Sequence, residues 1–258
     1  MMYMEAAHNK TYETNVHIID GSFEGLLTSV FVAHENNAFP AGIFINNEYQ
    51  QSLYETTIEI NTDETKAERV RNGIIIKLGT RIYENAWTAY LSNDPDRFTK
   101  ISRYLRLAFA EGRSIADRLA NPVVFDLFAI CRNVSRETCK IVGFLRFSVM
   151  ENNVQFAEIT PEHNQIPLIM QHFADRLQSI PFVIYDSRRH IAGIYDAKEW
   201  NIVDAHDLQL PALAADEEQV RKLWKVFYRS IAIEARINLK LQRNLMPKRY
   251  WRNMTEHL

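Results

Sequence analysis

The chain has 258 residues, 47% of them hydrophobic and 24% charged, enough apolar material for one large domain or two small ones, which excludes disorder as its main state. Lys and Arg number 30 against 32 Asp and Glu, a formal charge of -2, so neither a basic nucleic-acid coat nor an acidic tail describes the whole molecule. Two cysteines, Cys131 and Cys139, exclude a disulfide framework and point to a reducing cytoplasm.

Residues 1–12 carry Glu5, His8 and Lys10 with no long apolar run, so neither a signal peptide nor a membrane span is expected there, and the chain is expected to be soluble. Residues 16–19 form a short apolar run closed by Asp20-Gly21, and a helical period follows on Phe23, Leu26, Leu27, Val30 and Phe31, with Asp20 or Ser22 as cap. This is a strand, a turn and a helix. Residues 36–54 break the pattern with Asn pairs, Pro40 and Gly42, leaving room for one short strand at 42–45; residues 57–60 alternate as another. With Thr62 as cap, a helical block opens on Ala67, Val70, Ile74 and Leu78, continues on Ile82, Ala86 and Trp87, restarts at Asn93-Asp94-Pro95 and ends on Val123, Leu127 and Ile130.

From Lys140 the grammar turns to strands. Residues 141–149 and 154–159 flank a turn at Glu151-Asn152-Asn153; a helix at 167–177 follows, then strands at 182–185 and 191–195 around a tip containing Arg188, Arg189 and His190. The expected fold is α+β: an antiparallel ββαββ sheet with a helical sub-block at 62–136 and a long C-terminal helix, forming a single domain over 1–258. That last helix is expected over 217–233, with Val220, Leu223, Trp224, Phe227 and Ile231 facing the core, inside a basic helical segment at 216–258.

Several chemistries are missing. Eight scattered glycines supply neither a P-loop nor a Rossmann fingerprint, and no zinc-deaminase, zincin, nucleophile-elbow or three-cysteine pattern occurs, so no metal or cofactor is expected. Both cysteines are expected to be small buried hydrophobes. His163 and His172 could shuttle protons or merely cap and pack; Asp186 could act as a base or bond its own turn; Asp196 could face Asp186 across the hairpin and raise its proton affinity. Of these, His172 and Asp186 are the catalytic candidates.

Residues 219–258 hold ten cations against Glu234 and Glu256, a net charge of about +8 that leaves about -10 elsewhere. If 235–245 is one helix, Arg236, Lys240 and Arg243 share a face. Beyond Pro247, Tyr250 and Trp251 stand among Lys248, Arg249 and Arg252, an interleaving of rings and cations suited to phosphate contact and base stacking, or else to anchoring the tail. Arg188 and Arg189 at a hairpin tip form a second basic cluster.

Several separated motifs carry a family resemblance: Ile-Asp-Gly-Ser-Phe-Glu-Gly (19–25), Gly-Phe-Leu-Arg-Phe (143–147), a Pro-Glu-x-Asn-x-x-Pro-Leu motif running on to His172-Phe173 and Arg176 (161–176), Ile-Tyr-Asp-x-x-Arg (184–189), Phe-Tyr-Arg-x-Ile-Ala-Ile-x-x-Arg-x-Asn (227–238) and Met-Pro-Lys-Arg-Tyr-Trp (246–251). The chain resembles the uncharacterised "probable DNA metabolism protein" family. That resemblance implies a DNA repair or modification context, a gene neighbour that is a radical S-adenosylmethionine (radical SAM) protein, and in some relatives a fused uracil-DNA-glycosylase-like domain, whose Gly-Gln-Asp-Pro-Tyr motif is missing here. It implies no catalytic residues. The expected function is an accessory nucleic-acid-binding protein acting with the radical SAM partner; an enzyme acting on a nucleic-acid base and an adaptor for an acidic protein are the alternatives.

Overall fold

A computed structural model of the chain describes residues 15–46, 49, 55–209 and 211–257. The expectation for residues 1–12 lies outside them. Contacts divide the chain into two compact units, Met1–Arg132 and Asn133–Leu258.

In the first unit, β1 (Asn15–Ile19) leads through Asp20-Gly21-Ser22 into α1 (Phe23–Glu35), as its sequence dictates. Ser22 caps α1 by accepting from the Gly25 amide, and Asp20 accepts from the amide and hydroxyl of Ser22. The turn needs Gly21, whose φ of 88° suits a residue without Cβ. β2 (Gly42–Ile45) and β3 (Thr56–Glu59) pair on either side of β1, both parallel to it, in the order β2-β1-β3. Four helical elements follow: α2 (Glu64–Gly73), a π-helical turn Ile74–Leu78, α3 (Thr80–Tyr90) and α4 (Arg97–Glu111). Asp63, not Thr62, caps α2, because the Thr62 hydroxyl is given to Asp20. The apolar stripes of α1 and α4 close the core on Phe23, Leu26, Leu27, Ile101, Tyr104 and Leu105.

Helix α5 (Pro122–Phe144) contains the boundary between the units and runs well past the expected end of the helical block. Its last turn was expected as strand. A run such as Ile141-Val142-Gly143-Phe144-Leu145 has no period that separates the two, and only Ser148–Val149 pairs as β4. The second unit continues with β5 (Gln155–Ile159), α6 (Ile166–Leu177), β6 (Phe182–Asp186), β7 (Ile191–Tyr195) and β8 (Trp200–Asp204), a strand that sequence patterning misses.

The expected antiparallel sheet is corrected in both units. The first sheet is wholly parallel; the second, ordered β4-β5-β6-β7-β8, is mixed, because β5 and β6 pair in parallel while its other pairs are antiparallel. The cause is the connection. A helix between two strands, α1 after β1 and α6 after β5, carries the chain back to start the next strand in the same direction. Hairpins explain only β4-β5, β6-β7 and β7-β8. Register also separates the two aspartates: Asp186 pairs with Ile191 at the hairpin tip, whereas Asp196 follows Tyr195, which pairs with Phe182 at the opposite end.

Beyond β8 come α7 (Glu217–Ser230), a 3-10 turn Glu234–Arg236, α8 (Leu239–Leu245) and 3-10 turns Lys248–Asn253 and Thr255–His257. Among the described residues no helix is long and apolar enough to cross a membrane, and no group of three or more His, Cys, Asp or Glu stands where it could hold a metal ion.

Candidate nucleic-acid interface

The basic C-terminal segment divides into a docked half and an open half. In the docked half, Met246, Tyr250 and Met254 recur every four residues and enter the core of the second unit beside Ile141, Ile159 and Phe173. Tyr250 is 7% exposed, and its hydroxyl donates to Glu137 at 2.8 Å. Burial, then the Glu137 charge, pushes its phenol up to about 12. Its ring is therefore unavailable to a base. The half-buried Trp251 donates its indole N–H to the Met246 carbonyl at 3.0 Å and packs on the same core.

Glu137 organises this region. Only 3% exposed, it accepts the amides of Glu162 and His163 at 2.9 and 2.8 Å and a guanidinium N–H of Arg249 at 3.2 Å. Arg249 also reaches Glu162 at 2.6 Å, while Arg252 donates to Thr160 at 2.6 Å and approaches Ser187 and Glu158. Both arginines, expected on phosphates, are tied to carboxylates and hydroxyls of their own chain.

The hairpin tip meets the same network. Asp186 is fully buried and accepts the amides of Arg188 and Arg189 and the Arg189 guanidinium at 2.9 Å. Arg189 spends its other N–H groups on the carbonyls of Pro161 and Glu162, leaving Arg188 as the exposed cation of the pair. The two basic clusters thus converge through Glu162 and Ser187, as internal bracing. Asp186 and His172 are not brought together: the carboxylate is sealed in its turn, whereas His172 stands exposed on α6 with its ring edge-on to Phe173. His163 is buried, and burial lowers its imidazole pKa despite Glu137 and Glu162 nearby. Asp196 accepts the amides of Glu199 and Lys198, which hold its carboxyl below the usual range. Burial pushes the Cys131 thiol up to about 12, so it is no nucleophile; Cys139 is exposed, contrary to expectation.

The open half is anchored at few points. Buried Glu217 accepts the Val149 amide at 3.1 Å and Arg221 at 3.0 Å, and the Trp224 indole donates to Glu256, itself paired with Arg146 at 2.8 Å. Beyond these anchors the face expected to be core is open: Leu223 is 69% exposed, and Val220, Phe227 and Ile231 are more than half exposed. An amphipathic period records a face that favours burial; it does not say that the same chain buries it. The expected helix over 217–233 stops at Ser230, and Asn238 caps α8 by accepting the Leu241 amide, which leaves Arg236 in a separate 3-10 turn and splits the cationic stripe. Arg229, Arg236, Lys240, Arg243 and Lys248 are exposed and form no ion pair among the described residues. A groove of about 610 Å³ runs beside them, with Ile231, Ile233, Ile237 and Leu241 in its walls.

Sequence reasoning missed the acids that organise the segment: Glu137, Glu217 and Glu256. A signal for the first existed, since Glu137 stands in line with Val134 and Ile141 at helical spacing, a carboxylate inside an apolar stripe.

Two units, one with a parallel three-stranded sheet and helices and one with a mixed five-stranded sheet, define an α+β protein closed by its basic C-terminal segment. Residues 95–256 match the model of DUF4130, a domain of unknown function, and the chain belongs to that family. No curated protein matches it.

Proposed function

We propose that this chain is an accessory nucleic-acid-binding protein of DNA repair or modification. In this reading it works in the cytoplasm, as the two cysteines suggest, beside the radical SAM protein, and the glycosylase-like relatives share its context; the last two follow from the motif resemblance. One observation carries the binding role: Arg229, Arg236, Lys240, Arg243 and Lys248 are exposed and unpaired among the described residues, whereas their neighbours Arg249 and Arg252 are neutralised internally. Cations that retain their hydration and meet no carboxylate are the ones that exchange counterions for phosphates. Phe227, exposed on the same segment, replaces Tyr250 as the ring available for stacking.

The test is an anisotropy titration of labelled single- and double-stranded oligonucleotides at two ionic strengths. Affinity should fall steeply with salt. Binding that is absent, or indifferent to salt, rejects the role.

A second reading makes the same face an adaptor for an acidic protein. The aliphatic side chains Leu223, Val226, Ile231, Ile237 and Leu241 favour it, because phosphates have no use for them. Co-purification with the radical SAM protein, lost on Leu223→Asp, supports this reading; DNA binding that survives the same substitution supports the first.

A further inference from the structure

A second site lies wholly within the first unit, independent of the C-terminal segment. Helices α1, α2 and α4 and the π-helical turn enclose an open groove of about 480 Å³, within the range of small-molecule sites. Its floor and walls are apolar and largely aromatic. Phe31 comes from α1, Phe39 from the loop after it and Phe109 from α4; the His34 ring stands edge-on to both Phe39 and Phe109, with centroids 5.1 and 5.3 Å away. Burial, with the charge of Arg106, lowers the His34 pKa, so at neutral pH that ring is an uncharged wall.

Among the described residues the rim has one sign. Arg69, Lys77 and Arg106 line it, and no carboxylate does so among the described residues. Two of these cations are held in place by rings. The Arg106 guanidinium lies 3.7 Å from the Phe39 centroid and that of Arg69 5.4 Å from Phe31. Stacked on its ring, the Arg69 guanidinium presents edge N–H groups, the donors that match a phosphate or carboxylate, and loses less freedom when it uses them. Lys77 is supplied by the π-helical turn, where the Gly79 amide reaches back to the Ile74 carbonyl at 2.9 Å. Such wide turns recur at functional sites. Gly73 opens that turn, and a Cβ built there would make ordinary van der Waals contact with the Phe109 ring at 3.9 Å.

Flat apolar walls under a cationic rim complement a planar ring that carries an anion. A bare anion would leave the rings unused, and a neutral ring the cations. We propose that this groove binds a small aromatic phosphate of the nucleoside monophosphate class, its ring against Phe31, Phe39 and Phe109 and its phosphate held by Arg69 and Lys77.

The test is calorimetric titration of the full chain with adenosine monophosphate, adenosine and inorganic phosphate in parallel. The monophosphate should bind saturably and at least about tenfold more tightly than either fragment, since each fragment offers only half of the complement. Lys77→Glu, with Arg69→Gln as a second variant, should weaken it by about tenfold or more at unchanged melting temperature. Ala110→Trp, which fills the groove, should abolish it. Ring resonances of the phenylalanines should shift on titration of the unmodified chain, a readout that needs no variant. No saturable binding of the monophosphate, equal binding of inorganic phosphate, or binding unchanged in Lys77→Glu and Ala110→Trp would overturn the assignment. Replacing Arg236, Lys240 and Arg243 should leave this titration untouched, so failure here and failure of the nucleic-acid role are separate results.

Discussion

The two halves of the C-terminal segment have similar composition and opposite fates. In 246–256, apart from the exposed Lys248, cations and rings are spent on the chain's own acids and core: Tyr250 and Arg249 on Glu137, Arg252 on Thr160 and Glu158. In 229–245, cations and aliphatic side chains face solvent. The difference is made elsewhere, by carboxylates on α5, β5 and the loop after β5 that lie far away in sequence. Local basicity therefore does not reveal which arginines are available.

The sharpest way to break this contrast is Glu137→Ala. It strands the amides of Glu162 and His163, the Tyr250 hydroxyl and part of the Arg249 charge, and should cost about 3 kcal/mol or more of unfolding free energy in a denaturant titration. Indifference to this change would mean the docked half is not docked. Tyr250→Phe removes only the hydroxyl and should cost about 1 kcal/mol by the same measurement.

Acid should then weaken both units. Burial lowers the pKa of His17 in β1 and of His163 from the ordinary 6.5, so the unfolded chain takes up protons that the native chain refuses. Their contribution is complete above 6.5 and is lost as pH falls through the lowered values. Thermal melting across that window should show the decline, and His163→Gln should flatten part of it.

At the small end stands the open half. Joint replacement of Arg236, Lys240 and Arg243 by Gln should move stability by no more than about 0.5 kcal/mol yet reduce the salt slope of nucleic-acid binding by roughly three. Leu223→Ser should be equally mild in the isolated chain; a large loss would show that the face is already covered, by a second copy for instance.

What was legible follows the range of the forces involved. The β1–α1 unit could be read in full because the apolar period, the Asp20-Gly21 turn and the Ser22 cap all act within a few residues. The direction of β6 beside β5 could not, since it depends on how α6 returns the chain. Nor could the end of α5, where Ile141 and Phe144 suit helix and strand alike. At the site, two readings of Asp186 are open from its own neighbourhood, and the turn contacts of one of them are present, since its carboxylate accepts the Arg188 and Arg189 amides. The capture of Arg249 by Glu137 joins residues 112 positions apart, and no local pattern encodes it.

Met246, Tyr250 and Met254 are side chains of the second unit's core, yet they are made after every strand and helix they pack against. During synthesis, α5 through β8 leave the ribosome with an empty seat, and Glu137 waits there without its phenol and guanidinium. The core of this unit is therefore incomplete until residues 246–254 have followed the strands and helices that they cover.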